Sequence, residues 1–319
     1  MTSRQRNIII LYIFICSFLV THISSAERIL VVAPHPDDEV ISLGGWLADR
    51  IASGAEAWAV LMTDGEAFPK AVRQNRLSRW PIIRAPAFLQ LGKLRRNEGR
   101  RSLDILGIPP ERRFFLGYPT NMLWKLFHFP ASTDPVRSKA TKQRFGIAEW
   151  PVGEEKTHPF TYSAWAADID AILSKVHPDI VLVPVPFDTN TDHQTVTRMV
   201  AQRLKASRLR PALMGYLVHI VSRHRYPRPL GYHPNAVLTV PAGFPSPTIH
   251  IPSENGMAVK ERALRAHKTQ LNLKDGFLLG FLRKNEIFWP LDLETLSTVP
   301  QEEIRMEGQE TLESETISR

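Results

Sequence analysis

The chain contains a short segment, residues 34–39, whose side chains are suited to binding a metal ion and moving protons. His35, Asp37 and Asp38 follow an apolar run and a proline. A histidine and a carboxylate are typical zinc ligands, and a neighbouring carboxylate that stays unbound can act as a general base. The alternative interpretation is an ordinary turn, in which Asp37 or Asp38 caps the helix that follows. This segment alone leaves both interpretations open.

A second segment with similar side chains lies much further along the chain. Asp188, Asn190, Asp192 and His193 come shortly after another apolar run. A catalytic zinc site has three protein ligands and one open position. Two histidines and one aspartate, taken from the two segments, would complete such a set. His193 by itself could equally be a polar residue at a helix start, so the metal hypothesis depends on both segments.

Strand and helix patterns explain how two distant segments can meet. The runs 28–33 and 179–184 are rich in β-branched residues and predict buried strands, each followed by a helical pattern. Alternating strands and helices predict an α/β, Rossmann-like fold, with a mostly parallel sheet and helices on both faces. Ligands of such sheets bind beyond the carboxyl ends of the strands. The metal site is therefore expected there, provided that the first and fourth parallel strands are neighbours or nearly so.

The remaining elements are predicted from the same periodicities. The sequence favours further strands at 57–62, 113–116 and 213–221, and helices at 40–51, 92–106, 165–176 and 257–270. Residues 119–160 are rich in proline, threonine and charge and predict a long surface excursion, while the proline-rich stretch 227–252 is expected to be irregular.

The first 26 residues have the layout of a secretory signal peptide. Two arginines precede the apolar run 8–20, and small residues stand before Glu27. We expect an exported protein, periplasmic or extracellular, whose mature chain begins at or near Glu27 and has no membrane span. An uncleaved membrane anchor is the alternative. Cleavage would remove Cys16, the single cysteine, which would exclude disulfides and cysteine–metal sites.

Charge is unevenly distributed over the 319 residues. The net charge is +8, yet residues 301–319 hold six glutamates and two arginines. We therefore expect a basic domain over 27–300 and an acidic, disordered tail over 301–319. A basic exported domain could favour anionic glycans or a membrane surface, although solvated helix and loop faces are the preferred explanation of the charge. We do not expect nucleic acid as a partner, because the protein is expected to be exported and its sequence shows no basic stretch interleaved with aromatic residues.

Taken together, the motifs resemble the LmbE-like (PIG-L) family of N-acetylglucosaminyl deacetylases. The pattern His-Pro-Asp-Asp-Glu after the first strand and the pair Asp-His after a later strand carry the resemblance. Residues 63–66, 95–98 and 115–119 are also similar to family segments. The resemblance extends over residues 28–290.

The resemblance implies a role for each matching residue. His35, Asp38 and His193 match the metal ligands, usually of zinc, with another divalent metal such as Fe²⁺ as the alternative. Asp37 matches the general base that takes a proton from the attacking water. Asp192 is expected to orient a metal ligand or a neighbouring histidine. Further candidates for supporting the site or contacting the substrate are Asp188, Arg95 and His219, although a surface salt bridge would explain Arg95 equally.

One position departs from the family pattern. Many members have His-x-Asp-His where this chain has Asn190-Thr191-Asp192-His193. The missing histidine is associated with stabilising the oxyanion or protonating the leaving amine. Asn190 can donate a hydrogen bond to an oxyanion, but it cannot titrate. Either Asp37 returns the proton, or His219 or His224 takes the role, or the chain is a degraded enzyme.

The function expected from the resemblance is zinc-dependent removal of an acetyl group from an N-acetylated amino sugar or glycoconjugate. Two alternatives remain open. One is an amidase that uses the same site on a non-sugar acyl amide, and the other is a carbohydrate-binding relative without turnover. The sequence does not indicate which sugar is the substrate or which oligomer forms.

Overall fold

The computed structural model describes residues 26–150, 154–220 and 226–298, which form one sheet with helices around it. The strands of the described residues are, in chain order, β1 (Arg28–Ala33), β2 (Glu56–Thr63), β3 (Arg113–Tyr118), β4 (Phe145–Trp150), β5 (Glu154–Pro159), β6 (Ile180–Pro184), β7 (Ala212–Tyr216), β8 (Thr248–His250) and β9 (Glu286–Pro290). Their order across the sheet is β5-β4-β3-β2-β1-β6-β7-β9-β8.

Helices connect most of these strands. The α-helices of the described residues are α1 (Asp38–Ile41), α2 (Gly44–Ala52), α3 (Pro69–Gln74), α4 (Ala85–Leu106), α5 (Leu123–His128), α6 (Tyr162–Val176), α7 (Thr191–Ser207), α8 (Glu254–Leu264), α9 (Lys268–Leu271) and α10 (Leu293–Thr298). Single 3₁₀ turns lie at Pro110–Arg112 and Leu278–Phe281.

The five central strands, β3-β2-β1-β6-β7, are parallel, and the outer strands on both sides pair antiparallel. Strand β1 lies directly between β2 and β6. The first and fourth parallel strands of the chain are thus neighbours. This is the arrangement that brings the segments after β1 and β6 together.

Successive side chains of β1 point to opposite faces, and each face is covered by helices. Ile29, Val31 and Ala33 belong to one buried cluster, which includes residues of α1, α2, α4 and α8. Leu30 and Val32 belong to a second cluster, formed with α6 and α7. The prediction of a mostly parallel sheet with helices on both faces is confirmed.

The prediction of a surface excursion over 119–160 is wrong. This stretch contains α5 and the antiparallel hairpin of β4 and β5, which extends the sheet beyond β3. In β4 the inward positions are Gly146 and Ala148, whereas Phe145 and Ile147 are exposed. Small residues on the buried side leave no strong apolar alternation, which explains why the pattern predicted no strand.

Two predicted helices are each divided into two shorter ones. Residues 40–51 form α1 and α2, because the carboxylate of Glu286 accepts hydrogen bonds from the N–H groups of Gly45 (2.9 Å) and Trp46 (2.6 Å) and so starts a new helix. Residues 257–270 form α8 and α9, with His267 at the start of α9.

Strand β7 ends at Tyr216, earlier than predicted, and Thr248–His250 is a short strand within the stretch expected to be irregular.

Some sequence predictions fall on residues that lie outside the described ranges. These are the signal peptide, the acidic tail and residues 221–225, which include His224. Within the described ranges, no helix combines the length and the apolar character needed to cross a membrane.

Candidate metal centre

His35, Asp38 and His193 meet at the carboxyl ends of the neighbouring strands β1 and β6. Asp38 Oδ2 lies 3.2 Å from His35 Nδ1 and 3.1 Å from His193 Nε2, and the two ring nitrogens are 3.3 Å apart. All three residues are buried, and one ligand atom from each lies within 4.8 Å of the others. These three residues are called the candidate centre below.

The chemistry of this donor set fits a divalent cation. Two imidazole nitrogens and one carboxylate oxygen are the ligands that zinc prefers, and Fe²⁺ accepts the same types. Burial lowers the pKa of His193, but Asp38 and Asp188 together raise that pKa well above its usual value. The carboxylates around the two imidazoles therefore favour positive charge at this point, as a cation site requires.

Asp192 fixes the orientation of His35. Its Oδ2 lies 3.2 Å from His35 Nε2, the ring nitrogen opposite the one that faces Asp38. The same carboxylate accepts hydrogen bonds from the backbone N–H groups of Asn121 (2.6 Å) and Leu123 (3.3 Å). A buried carboxylate held in this way selects the tautomer of a histidine ligand and strengthens its binding.

Asp188 stands in the same relation to His193. Its Oδ2 lies 3.2 Å from His193 Nδ1, and it accepts hydrogen bonds from the N–H groups of Val218 (3.1 Å) and His219 (2.9 Å). Each histidine of the candidate centre is thus held from behind by its own buried aspartate.

We expect that replacing Asp188 or Asp192 by asparagine lowers the affinity for the metal roughly 10–100-fold, because the histidine loses its charged partner. Titration of the metal-free protein with zinc measures the change directly. The matched control is Asp168→Asn, since Asp168 is also buried but bonds to Tyr118 away from the candidate centre. Equal affinity in the variants at 188, 192 and 168 would contradict the supporting role.

Asp37 adjoins the candidate centre but does not belong to the set of ligand atoms. Its backbone has a φ of 122°, a conformation rare for residues other than glycine. The N–H of Asp37 donates to Glu39 Oε2 (2.7 Å), and its own Oδ2 accepts a hydrogen bond from Arg95 Nη2 (3.1 Å). Burial raises the pKa of Asp37 to about 6, although the charge of Arg95 opposes the shift. A carboxylate with this pKa is ionised near neutral pH and suited to accepting a proton.

The alternative in which Arg95 forms a surface salt bridge on its helix is wrong. It is buried in α4, and its guanidinium also donates to the carbonyl oxygens of Pro36 (2.7 Å) and Gly65 (2.8 Å). Arg95 therefore ties the turns after β1 and β2 together and holds the Asp37 carboxylate.

Two buried pairs behind the centre were not anticipated from the sequence. His267 Nε2 lies 2.8 Å from Glu39 Oε1, so α9 supports the residue that holds the Asp37 backbone. Glu66 accepts hydrogen bonds from the backbone N–H and the hydroxyl of Thr120, next to the loop that binds Asp192. Burial raises the pKa of Glu66 to about 7. No spacing signal connects either pair, because their partners are far apart in the chain.

Asn190 is the N-cap of α7. Its Oδ1 accepts hydrogen bonds from the N–H groups of Asp192 (2.9 Å) and His193 (3.4 Å). The side-chain oxygen therefore positions the helix turn that carries His193, which leaves the amide NH₂ as the group that could bind an oxyanion.

If that NH₂ group stabilises the oxyanion, Asn190→Asp will lower kcat on the order of a hundredfold, because aspartate keeps the cap but has no donor. Asn190→Ala will show the same loss and, in addition, a decrease of about 1 kcal/mol in the free energy of unfolding. Both variants should retain metal. Unchanged kcat in Asn190→Asp on a verified substrate would show that Asn190 only forms the cap.

His219 lies beside the centre, and its backbone N–H donates to Asp188. Its ring is 5.0 Å from that of His193 and stacks on Phe277 at 5.3 Å. Burial lowers the pKa of His219 to about 4. The imidazole is therefore neutral near pH 7, which disfavours the hypothesis that it protonates the leaving amine.

Comparison with known proteins agrees with this site. The family model PIG-L, described as GlcNAc-PI de-N-acetylase, matches residues 30–204. The chain belongs to this family. The matched residues include most of β1 and of α7, and they contain the whole candidate centre.

Two bacterial relatives carry the name 1D-myo-inositol 2-acetamido-2-deoxy-alpha-D-glucopyranoside deacetylase. The protein of Actinosynnema mirum is 25% identical over 276 residues, which cover 80% of this chain and 84% of the relative. The protein of Geodermatophilus obscurus is 34% identical over 186 residues, which cover 56% of this chain and 51% of the relative.

Solved structures show the same fold. The A40926 pseudoaglycone deacetylase Dbv21 superposes with a TM-score of 0.53 at 20% identity, covering 83% of this chain and 97% of that one. The N,N'-diacetylchitobiose deacetylase from Pyrococcus horikoshii gives a TM-score of 0.50 at 17% identity, covering 95% and 98%.

Proposed function

We propose that this protein is a zinc-dependent deacetylase that removes the acetyl group from an N-acetylated amino sugar or glycoconjugate. The observation that carries the proposal is the convergence of His35, Asp38 and His193 beside the unbound carboxylate of Asp37. Membership of the PIG-L family and the deacetylase names of the two relatives support the reaction type.

His35, Asp38 and His193 would hold the metal, which when bound acts as a Lewis acid that activates water and polarises the amide carbonyl. Asp37 accepts the proton of the attacking water, whose oxygen forms the new bond to the acetyl carbon. The C–N bond then breaks, and Asp37 returns the proton to the amine nitrogen. Asn190 cannot titrate and His219 is neutral, so Asp37 is the group among these three that can perform both transfers.

We further propose that the protein acts outside the cytoplasm, after cleavage before Glu27. The basic start, the apolar run 8–20 and the small residues before Glu27 support this proposal. N-terminal sequencing of the protein from its native host tests it, since Met1 on a cytoplasmic product would contradict export.

Metal analysis combined with an acetate-release screen tests the proposed activity. We expect about one bound zinc per chain and acetate from N-acetylglucosamine conjugates such as chitooligosaccharides or N-acetylglucosaminyl inositol. Acetate from acetylated amino acids alone would favour the amidase. Bound metal without release from any acylated amine would favour a carbohydrate-binding protein.

A further inference from the structure

The loop between α3 and α4, residues 76–84, presents two apolar side chains to solvent. Trp80 is 71% exposed and Ile82 is 76% exposed, which are among the highest values for large hydrophobic residues in the described chain. Exposed apolar side chains at one loop tip mark a contact surface more often than scattered single ones do.

The loop is held in place by its other residues. Leu77 and Ile83 pack against the buried cluster of α3 and α4, and Arg73 donates a hydrogen bond to the carbonyl oxygen of Pro81 (3.0 Å). Ile83 therefore points inward where its neighbour Ile82 points outward. The exposure of Trp80 and Ile82 is a property of the folded loop, since the anchored residues on both sides determine it.

The chain segment that contains the loop is basic, although Lys70 pairs with Asp275 and Arg96 with Asp64. Residues 67–97 contain eight lysines and arginines and no aspartate or glutamate. Arg76, Arg79, Arg84 and Lys93 are exposed, and none forms an ion pair with another residue in the described ranges. By contrast, Arg95 of the same stretch is buried against Asp37. The loop tip thus combines apolar side chains with unneutralised positive charge.

The loop lies, like the candidate centre, at the carboxyl ends of the parallel strands. Helix α4 leads into β3 at its carboxyl end, and its residue Arg95 contacts Asp37. The helix therefore runs antiparallel to the strands, and its first residue, Ala85, lies at the end where the candidate centre is found. At 1.5 Å per residue, the distance along the axis from Ala85 to Arg95 is about 15 Å.

We infer that residues 76–84 bind the surface of an anionic lipid bilayer. Tryptophan is enriched at the interface of membranes, isoleucine gains from burial among acyl chains, and arginines are attracted to anionic headgroups. An anionic polysaccharide would engage the arginines but offers no apolar environment for Ile82. Contact through this loop would turn the candidate centre toward the bilayer. The binding itself does not depend on the proposed function, whereas the use of this orientation for catalysis does.

Cosedimentation of the full chain with vesicles tests the binding. We expect binding to equimolar phosphatidylglycerol and phosphatidylcholine, and much weaker binding to phosphatidylcholine alone. Trp80→Ser with Ile82→Ser should weaken binding on the order of tenfold, and Arg79→Gln or Arg84→Gln about fivefold for each charge removed. The control pair, Ile249→Ser with Ile251→Ser, removes two exposed apolar residues on and just after the outermost strand, β8, and should change nothing.

A local readout separates the loop from the apolar run 8–20 of the full chain. That run contains no tryptophan, so quenching by brominated acyl chains reports only on the folded part. We expect quenching in the unmodified protein and in Trp124→Phe, whose residue is 40% exposed in α5, and its loss in Trp80→Phe.

Quenching that persists in Trp80→Phe, or equal vesicle binding by the loop variants and the control pair, would overturn the inference. Binding to an anionic polysaccharide but not to vesicles would overturn it as well. Failure of acetate release would leave these results unaffected, so the two proposals can fail separately.

Discussion

His35→Ala and His193→Ala are each expected to abolish stoichiometric metal binding and all activity. The two ring nitrogens and Asp38 Oδ2 lie 3.1 to 3.3 Å from one another. Each of the three residues therefore supplies one of the three protein ligands of the candidate centre. Loss of one ligand also leaves Asp192 or Asp188 without the imidazole that it holds. Metal content of the purified variants, together with acetate release, measures the effect.

The matched control is His158→Ala, because His158 is a buried histidine whose ring contacts the carbonyl oxygen of Leu116, away from the centre. It should keep its metal. Unchanged metal stoichiometry in both His35→Ala and His193→Ala would show that the site is wrongly assigned.

Asp37→Asn is expected to keep the metal and to lower kcat by roughly 10²–10⁴-fold, the usual contribution of a general base. Asparagine tolerates positive φ and retains an oxygen that can accept the hydrogen bond from Arg95, so the local structure should persist. The variant loses the negative charge that faces Arg95 and, with it, the ability to take up a proton. Metal content and kcat, measured on the same preparation, separate the two effects.

The unmodified enzyme should also lose activity as the pH falls through about 6 or below, since burial raises the pKa of Asp37 to about 6 and the protonated carboxyl cannot act as a base. A bound cation nearby would oppose this rise and shift the loss of activity to a pH below about 6. The control is Asp104→Asn, which removes a carboxylate paired with Arg113. Full activity of Asp37→Asn would exclude Asp37 as the base.

Most of the parallel core could be predicted because its signals are local. The runs that form β1 and β6 consist of β-branched and other apolar residues, and a strand buried on both faces requires this composition. The hairpin of β4 and β5 could not be predicted in the same way. Its inward residues, Gly146 and Ala148, are small, and its place in the sheet depends on pairing with β3.

The sequence by itself determined which side chains stand at the ends of the strands, because a strand, a turn and a helix start are each specified by neighbouring residues. Only the tertiary structure decided which of them touch. The pairing of β1 with β6 brings His35 to His193, and packing of α4 buries Arg95 against Asp37. The contact of Asp192 with His35 likewise spans that strand pair, whereas Asp188 and His193 belong to the same segment. Contacts between residues far apart in the chain follow from strand order and helix packing, which no local pattern encodes.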